Sequence, residues 1–219
     1  MKKHFFYLLL PLVLIWCITG GCQPAEETLR EEVPALCGAY QDFFPIGAAV
    51  NSWTITSHKD LIVKHFNSLT PENEMKFESL QPSPGKYTFE RADAIVELAE
   101  KNGMLVRGHT LVWHSQTPAW VFRDENGRPA SRELLLKRME EHITTVVSRY
   151  RGRVYAWDVV NEAVADGGGG YLRTDSPWYQ IIGPDYIAQA FIFAHRADPE
   201  AKLFYNDYSA VDPAKSDRI

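Results

Sequence analysis

From Phe44 onward, short apolar runs alternate with stretches whose apolar positions recur every three and four residues. The runs Ile46–Val50, Phe66–Thr70, Met104–His109, Tyr155–Asn161 and Leu203–Asn206 have the length and composition of buried strands. Between them, Ala92, Ile95, Val96 and Ala99 fall on one helical face that Gly103 closes. Leu135, Met139, Ile143, Val146 and Val147 form a second face, with Ser131 as its N-cap and Gly152 beyond its end. Ile187, Ala190, Phe191 and Ala194 form a third, stopped by Asp198-Pro199, and a further helix begins at Pro213. Strands that alternate with helices imply βαβ units and a parallel sheet.

Two α/β architectures fit that alternation, a doubly wound sheet and a (β/α)8 barrel. The phosphate-binding turn of a dinucleotide fold, GxGxxG between strand and helix, is absent. Gly167-Gly168-Gly169-Gly170 lacks the Lys-Ser/Thr of a P-loop and reads as a flexible connection. Polar and aromatic residues end or follow every predicted strand: Asn51 and Trp53, Glu72 and Asn73, His109 and Trp113, Asn161 and Glu162, Asn206 and Asp207. Barrel enzymes assemble their sites from the C-terminal ends of several strands, so this placement favours the TIM barrel, with about its first five βα units in this chain.

The N-terminus has a different pattern. Met1-Lys2-Lys3 precedes fourteen uncharged residues, Phe5 to Ile18. That is too short for a bilayer-spanning helix and fits the apolar stretch of a signal peptide. Thr19-Gly20-Gly21-Cys22 then resembles a bacterial lipoprotein signal, with Cys22 as the lipidated residue. Residues 1–21 thus read as a signal peptide, 22–41 as a polar tether and 42–219 as the barrel. The expected location is the cell surface or outer membrane, otherwise the periplasm or medium. Cys37 would then stand alone, without a disulfide framework.

The formal charge is −5, and loss of Lys2 and Lys3 with the leader makes it −7. No basic stripe appears, so nucleic acid is not expected as a partner, and a neutral substrate suits the chain better than a polyanion. His109 and His114 are five residues apart, but the spacing is not HExxH and no third ligand presents itself, so neither a metal nor another cofactor is expected.

The sharpest chemical signal is Trp157-Asp158-Val159-Val160-Asn161-Glu162, a strand that delivers a carboxyl group at its end beside an amide. A carboxyl buried among aromatics is favoured in the protonated form that can donate. With Leu69-Thr70-Pro71-Glu72-Asn73-Glu74-Met75-Lys76, Arg107 to Gln116 (RGHTLVWHSQ) and Phe204-Tyr205-Asn206-Asp207-Tyr208, in that order, the chain resembles glycoside hydrolase family 10, the endo-β-1,4-xylanases. The resemblance runs from about residue 42 to 219.

The resemblance implies a (β/α)8 barrel and a retaining mechanism using two carboxylates. Glu162 corresponds to the acid/base. The family nucleophile, a Glu ending strand seven in a Thr-Glu-Leu-Asp-like segment, has no counterpart here; Asp207 belongs to the Asn-Asp-Tyr motif, and Glu200 falls in a helix-to-strand turn at the opposite face. By the same resemblance Glu72, Asn73 and Lys76 grip a xylose, His109, Trp113 and Gln116 border the cleavage subsite, and Asn161 bonds the 2-hydroxyl. Asp158 and Asn206 support these groups. Ser209 departs from the family's usual Asn, which touches a leaving-group contact.

The implied partners are xylan and xylo-oligosaccharides, with membrane contact only through the lipid anchor and a monomeric state. The residues alone leave other readings open. Glu72 and Lys76 could be an i, i+4 ion pair, Trp113 core packing and His109 a structural histidine. A non-catalytic glycan-binding protein or a cellulase-type barrel would also carry several of these groups. With three strands wanting, the isolated chain is expected to be unstable and inactive.

Overall fold

A computed structural model of the chain describes residues 33–166 and 170–219. The leader, Cys22, the tether as far as residue 32 and Gly167–Gly169 lie outside the described residues. In chain order the elements are α1 (Leu36–Ala39), β1 (Gly47–Val50), α2 (Thr54–Ser57), α3 (Lys59–His65), β2 (Ser68–Pro71), α4 (Phe77–Leu80) and α5 (Glu90–Lys101). Then come β3 (Leu105–Trp113), a 3-10 turn (Ala119–Phe122), α6 (Arg132–Arg149), β4 (Ala156–Asn161), α7 (Pro177–Ile182), α8 (Tyr186–Ala197), β5 (Lys202–Asn206) and α9 (Pro213–Ser216).

All five strands are parallel and lie in the sheet in their chain order. A doubly wound sheet reverses its order at a switch point; this one does not, and its topology is that of a barrel wall. The helices cover one face. Val106 and Gly108 of β3 and Trp157 and Val159 of β4 point to that side and are buried. Leu105, Arg107 and His109 point to the other side, where they stand beside Asp158 and Phe204 and are only partly covered.

The second predicted helical face is the spine of the core: Leu135, Met139, Ile143, Val146 and Val147 of α6 are fully buried. Each such side chain contributes roughly 1.5–3 kcal/mol relative to exposure. Ser131 caps α6, its Oγ accepting from the Leu134 amide at 3.2 Å. Gly103 and Gly152 follow α5 and α6 with φ of 65° and 73°, the left-handed backbone that ends a helix cheaply only in glycine.

Two sequence expectations shift. The buried stripe of α8 is Tyr186, Ala190, Phe193, Ala194 and Ala197, while Ile187 and Phe191 are only half-buried; the helix is apolar around most of its circumference, so spacing alone does not orient it. β3 continues past His109 to Trp113, because its register against β4 slips between His109 and Val112 and then resumes. His109 is therefore a mid-strand residue, and Trp113 ends the strand.

Gly108 is required by contact. It lies opposite Trp157 in the β3–β4 register, and a Cβ there would fall 2.2 Å from two atoms of the indole. Leu36 of α1 donates its amide to His65 Nδ1 at 3.3 Å, and Cys37 is a free thiol.

Candidate active site

The C-terminal ends of β2, β3, β4 and β5 deliver the predicted groups to one place. Glu162 follows β4 directly, with φ of 54°. A non-glycine residue in that region costs roughly 1–3 kcal/mol and is held only by its surroundings. Here the Glu162 amide donates to the Asn206 carbonyl at 2.9 Å, and its own carbonyl accepts from Arg173 Nε at 3.1 Å.

The Glu162 carboxyl is partly buried. Its Oε2 accepts from the Trp113 indole at 2.9 Å and lies 4.0 Å from His114 Nε2. Oε1 takes no hydrogen bond among the described residues. Burial lowers the His114 pKa, and the Arg173 cation lowers it further against the opposing pull of Glu162. Both effects disfavour the cationic form of the imidazole beside the carboxyl.

Lys76 is the hub of the β2 side. Its ammonium donates to Gln116 Oε1 at 2.7 Å and Asn73 Oδ1 at 3.0 Å, and stands 4.7 Å above the Trp113 ring. Burial lowers its pKa, and the Glu162, Glu78 and Glu72 carboxylates oppose that shift. Gln116, at φ of 45°, also donates to Asn73 at 3.2 Å and to Glu78 at 3.1 Å. Glu72 accepts from Asn51 at 2.6 Å instead of pairing with Lys76, so the ion-pair reading of those two does not describe the geometry.

His109 Nδ1 meets Asp158 Oδ2 at 2.9 Å. The other Asp158 oxygen accepts from Arg107 Nε at 2.9 Å and Nη2 at 2.5 Å, a bidentate clamp on a buried carboxylate. The Asn161 and Asn206 amides meet at 2.8 Å; with its amide turned, Asn161 also reaches the Asn206 carbonyl at 3.2 Å and the Trp113 indole at 3.3 Å. A cleft of about 740 Å³ opens among Glu72, Asn73, Lys76, Arg107, His109 and Asp158. Glu200 lines a separate cavity at the opposite strand ends with Glu100 and Lys202, away from Glu162. The Asp207 side chain is buried, accepts a hydrogen bond from the Tyr205 hydroxyl and lies 2.7 Å from Lys215.

The structure thus joins Glu72, Asn73, Lys76, His109, Trp113, Gln116, Asn161 and Glu162 on one rim. Sequence reasoning missed Arg107 and Arg173, and considered His114 only as a metal ligand. The αL position of Ser209, with φ of 53°, is one that Asn tolerates better than Ser. Chemically, the rim offers a carboxyl group with one oxygen unbonded among the described residues, an adjacent amide, an ammonium and a half-buried indole. Such a set can bind hydroxyl-rich ligands and donate a proton to one of them.

Comparison with known proteins gives the following. The model of the family described as Glycosyl hydrolase family 10 matches residues 36–219. A Beta-1,4-xylanase of Dictyoglomus thermophilum is 49% identical, covering 100% of this chain and 59% of its own length. The solved xylanase XynB of Paenibacillus barcinonensis, complexed with a conduramine derivative, is 52% identical with a TM-score of 0.84, over 86% of this chain and 56% of that one. A solved structure in complex with xylotriose is 50% identical with a TM-score of 0.82, over 85% of this chain and 56% of that one. The chain therefore spans less than two thirds of the length of each of these relatives.

Proposed function

The chain belongs to glycosyl hydrolase family 10, and from that premise we propose that the protein is an endo-β-1,4-xylanase that cleaves internal linkages of xylan with retention. The observation that carries the reading is the Glu162 carboxyl, fixed at the end of β4 with one oxygen bound to Trp113 and the other free.

In the first step Glu162 gives its proton to the glycosidic oxygen as that bond breaks, while a second carboxylate attacks the anomeric carbon. The resemblance assigns that nucleophile to a strand-seven Glu that these 219 residues do not contain. Water then attacks the glycosyl-enzyme, Glu162 takes its proton, and the sugar leaves with its original configuration. Glu72, Asn73, Lys76 and Gln116 hold the xylose hydroxyls, and Trp113 presents its ring to the sugar. Xylo-oligosaccharides are the products. The 219 residues alone are inactive in this reading, and the enzyme works as an exported, lipid-anchored monomer.

The test is the full-length protein with Glu162→Gln. Hydrolysis of unactivated xylan should fall by about 10²–10⁴-fold. Undiminished sugar release would refute the acid/base role. A clear preference for carboxymethylcellulose over xylan would refute the substrate.

A further inference from the structure

Glu162 adopts a left-handed backbone without being glycine, so neighbouring groups must hold it. Its amide bond goes to β5. Its carbonyl bond comes from Arg173, eleven positions further along the chain, whose own amide donates to the Ala163 carbonyl at 2.7 Å.

The Arg173 guanidinium is largely buried and does two things at once. Nε serves the Glu162 carbonyl, and Nη2 donates to Asp166 Oδ2 at 2.7 Å. The other Asp166 oxygen accepts from Lys215 of α9 at 2.9 Å. Lys215 is buried between Asp166 and Asp207, with Asp207 at 2.7 Å. Two cations and two anions therefore form one neutral chain from the Glu162 backbone to the segment after β5. A planar guanidinium holds its donors in a rigid fork, so Nε and Nη2 serve the carbonyl and the carboxylate in one fixed geometry; an alkyl chain serves neither.

We propose that Arg173 is a positioning residue for Glu162, anchored through Asp166 and Lys215, and that it sets the carboxyl where it can deliver its proton. The proposal rests on the acid/base reading of Glu162 given above. Arg173 does not touch the substrate. It acts by fixing the peptide that carries the carboxyl, and a displacement of about 1 Å there can cost on the order of 100-fold in rate.

The experiment uses the full-length protein and two substrates. Xylan needs a proton on its leaving oxygen; a 2,4-dinitrophenyl β-xylobioside, with a stable phenolate leaving group, does not. Arg173→Ala should lower kcat/KM on xylan by about 30-fold or more while changing it less than about threefold on the activated substrate, with KM for xylan little altered. Asp166→Asn, at a half-exposed carboxylate, should keep the fold and show the same split at smaller size, and it carries the test alone if Arg173→Ala does not fold. Equal losses on both substrates, or no loss on xylan, overturn the proposal. Glu162→Gln is measured alongside. If it shows the split and the Arg173 and Asp166 variants do not, only the positioning role falls; if Glu162→Gln shows no split, the acid/base reading falls and the proposal with it.

Discussion

Acidification should unfold this protein partly through one side chain remote from the cleft, His142. It is fully buried in α6, stacked on Phe77 with ring centroids 3.6 Å apart, and its Nδ1 lies 3.0 Å from Gln81 Oε1. Nε2 has no partner among the described residues. Burial pushes the imidazole pKa down, to about 3 from 6.5. An unfolded chain protonates this ring near 6.5, whereas the folded chain resists until about 3, so the unfolded state binds more protons between those values and stability falls as pH drops through that window.

At pH 4.5 the unfolded ring is two units below its own pKa, and at 1.36 kcal/mol per unit the loss is about 3 kcal/mol relative to pH 7.5. Carboxylates titrate in the same window, so the comparison must be with His142→Phe, which keeps the stack and cannot titrate. Breaking the Gln81 contact shifts that variant's stability by the same amount at each pH. Urea unfolding of both full-length proteins at pH 7.5, 5.5 and 4.5 reads the difference. The wild type should lose about 3 kcal/mol more than the variant between pH 7.5 and 4.5. Parallel losses would show that His142 protonates in the folded state and refute the argument.

Gly108→Ala should lower Tm by about 6–12 °C, since a methyl forced onto the buried Trp157 ring costs about 3 kcal/mol. The penalty should shrink in the background of Trp157→Leu, and a penalty unchanged by removing that ring would disprove the clash. For the proposed lipid anchor, Cys22→Ala should move the protein from the detergent phase to the aqueous phase and abolish labelling with radioactive palmitate; unchanged partitioning would remove the anchor from the proposed function.

Much of this was legible in the sequence because of how parallel strands are buried. Residues covered on both faces read as continuous apolar runs, as Ala156 to Val160 does around a single Asp158. The α6 stripe was legible because its outer face is charged. The one-turn helices Thr54–Ser57 and Phe77–Leu80 were not, because four residues hold barely one period. His142 escaped because it lies beside the stripe, next to Ile143, and a titratable ring in the core leaves no mark on an apolar count. Glu162 was visible from its own strand. Arg173 was not, because its contact with Glu162 is made by a loop that doubles back on the strand end.

The strand order has a bearing on how the chain assembles. Every strand joins its immediate predecessor, and the joining residues are 21 positions apart for Gly47 and Ser68 and 49 apart for Arg107 and Ala156. Closure entropy grows only with the logarithm of that separation, so the longest of these steps exceeds the shortest by about 0.8 kcal/mol. Among the five described strands, each pairing from β2 to β5 is available as soon as the strand before it is in place. A polypeptide that emerges N-terminus first can add each of these βα steps to the wall already formed, at nearly uniform entropic cost.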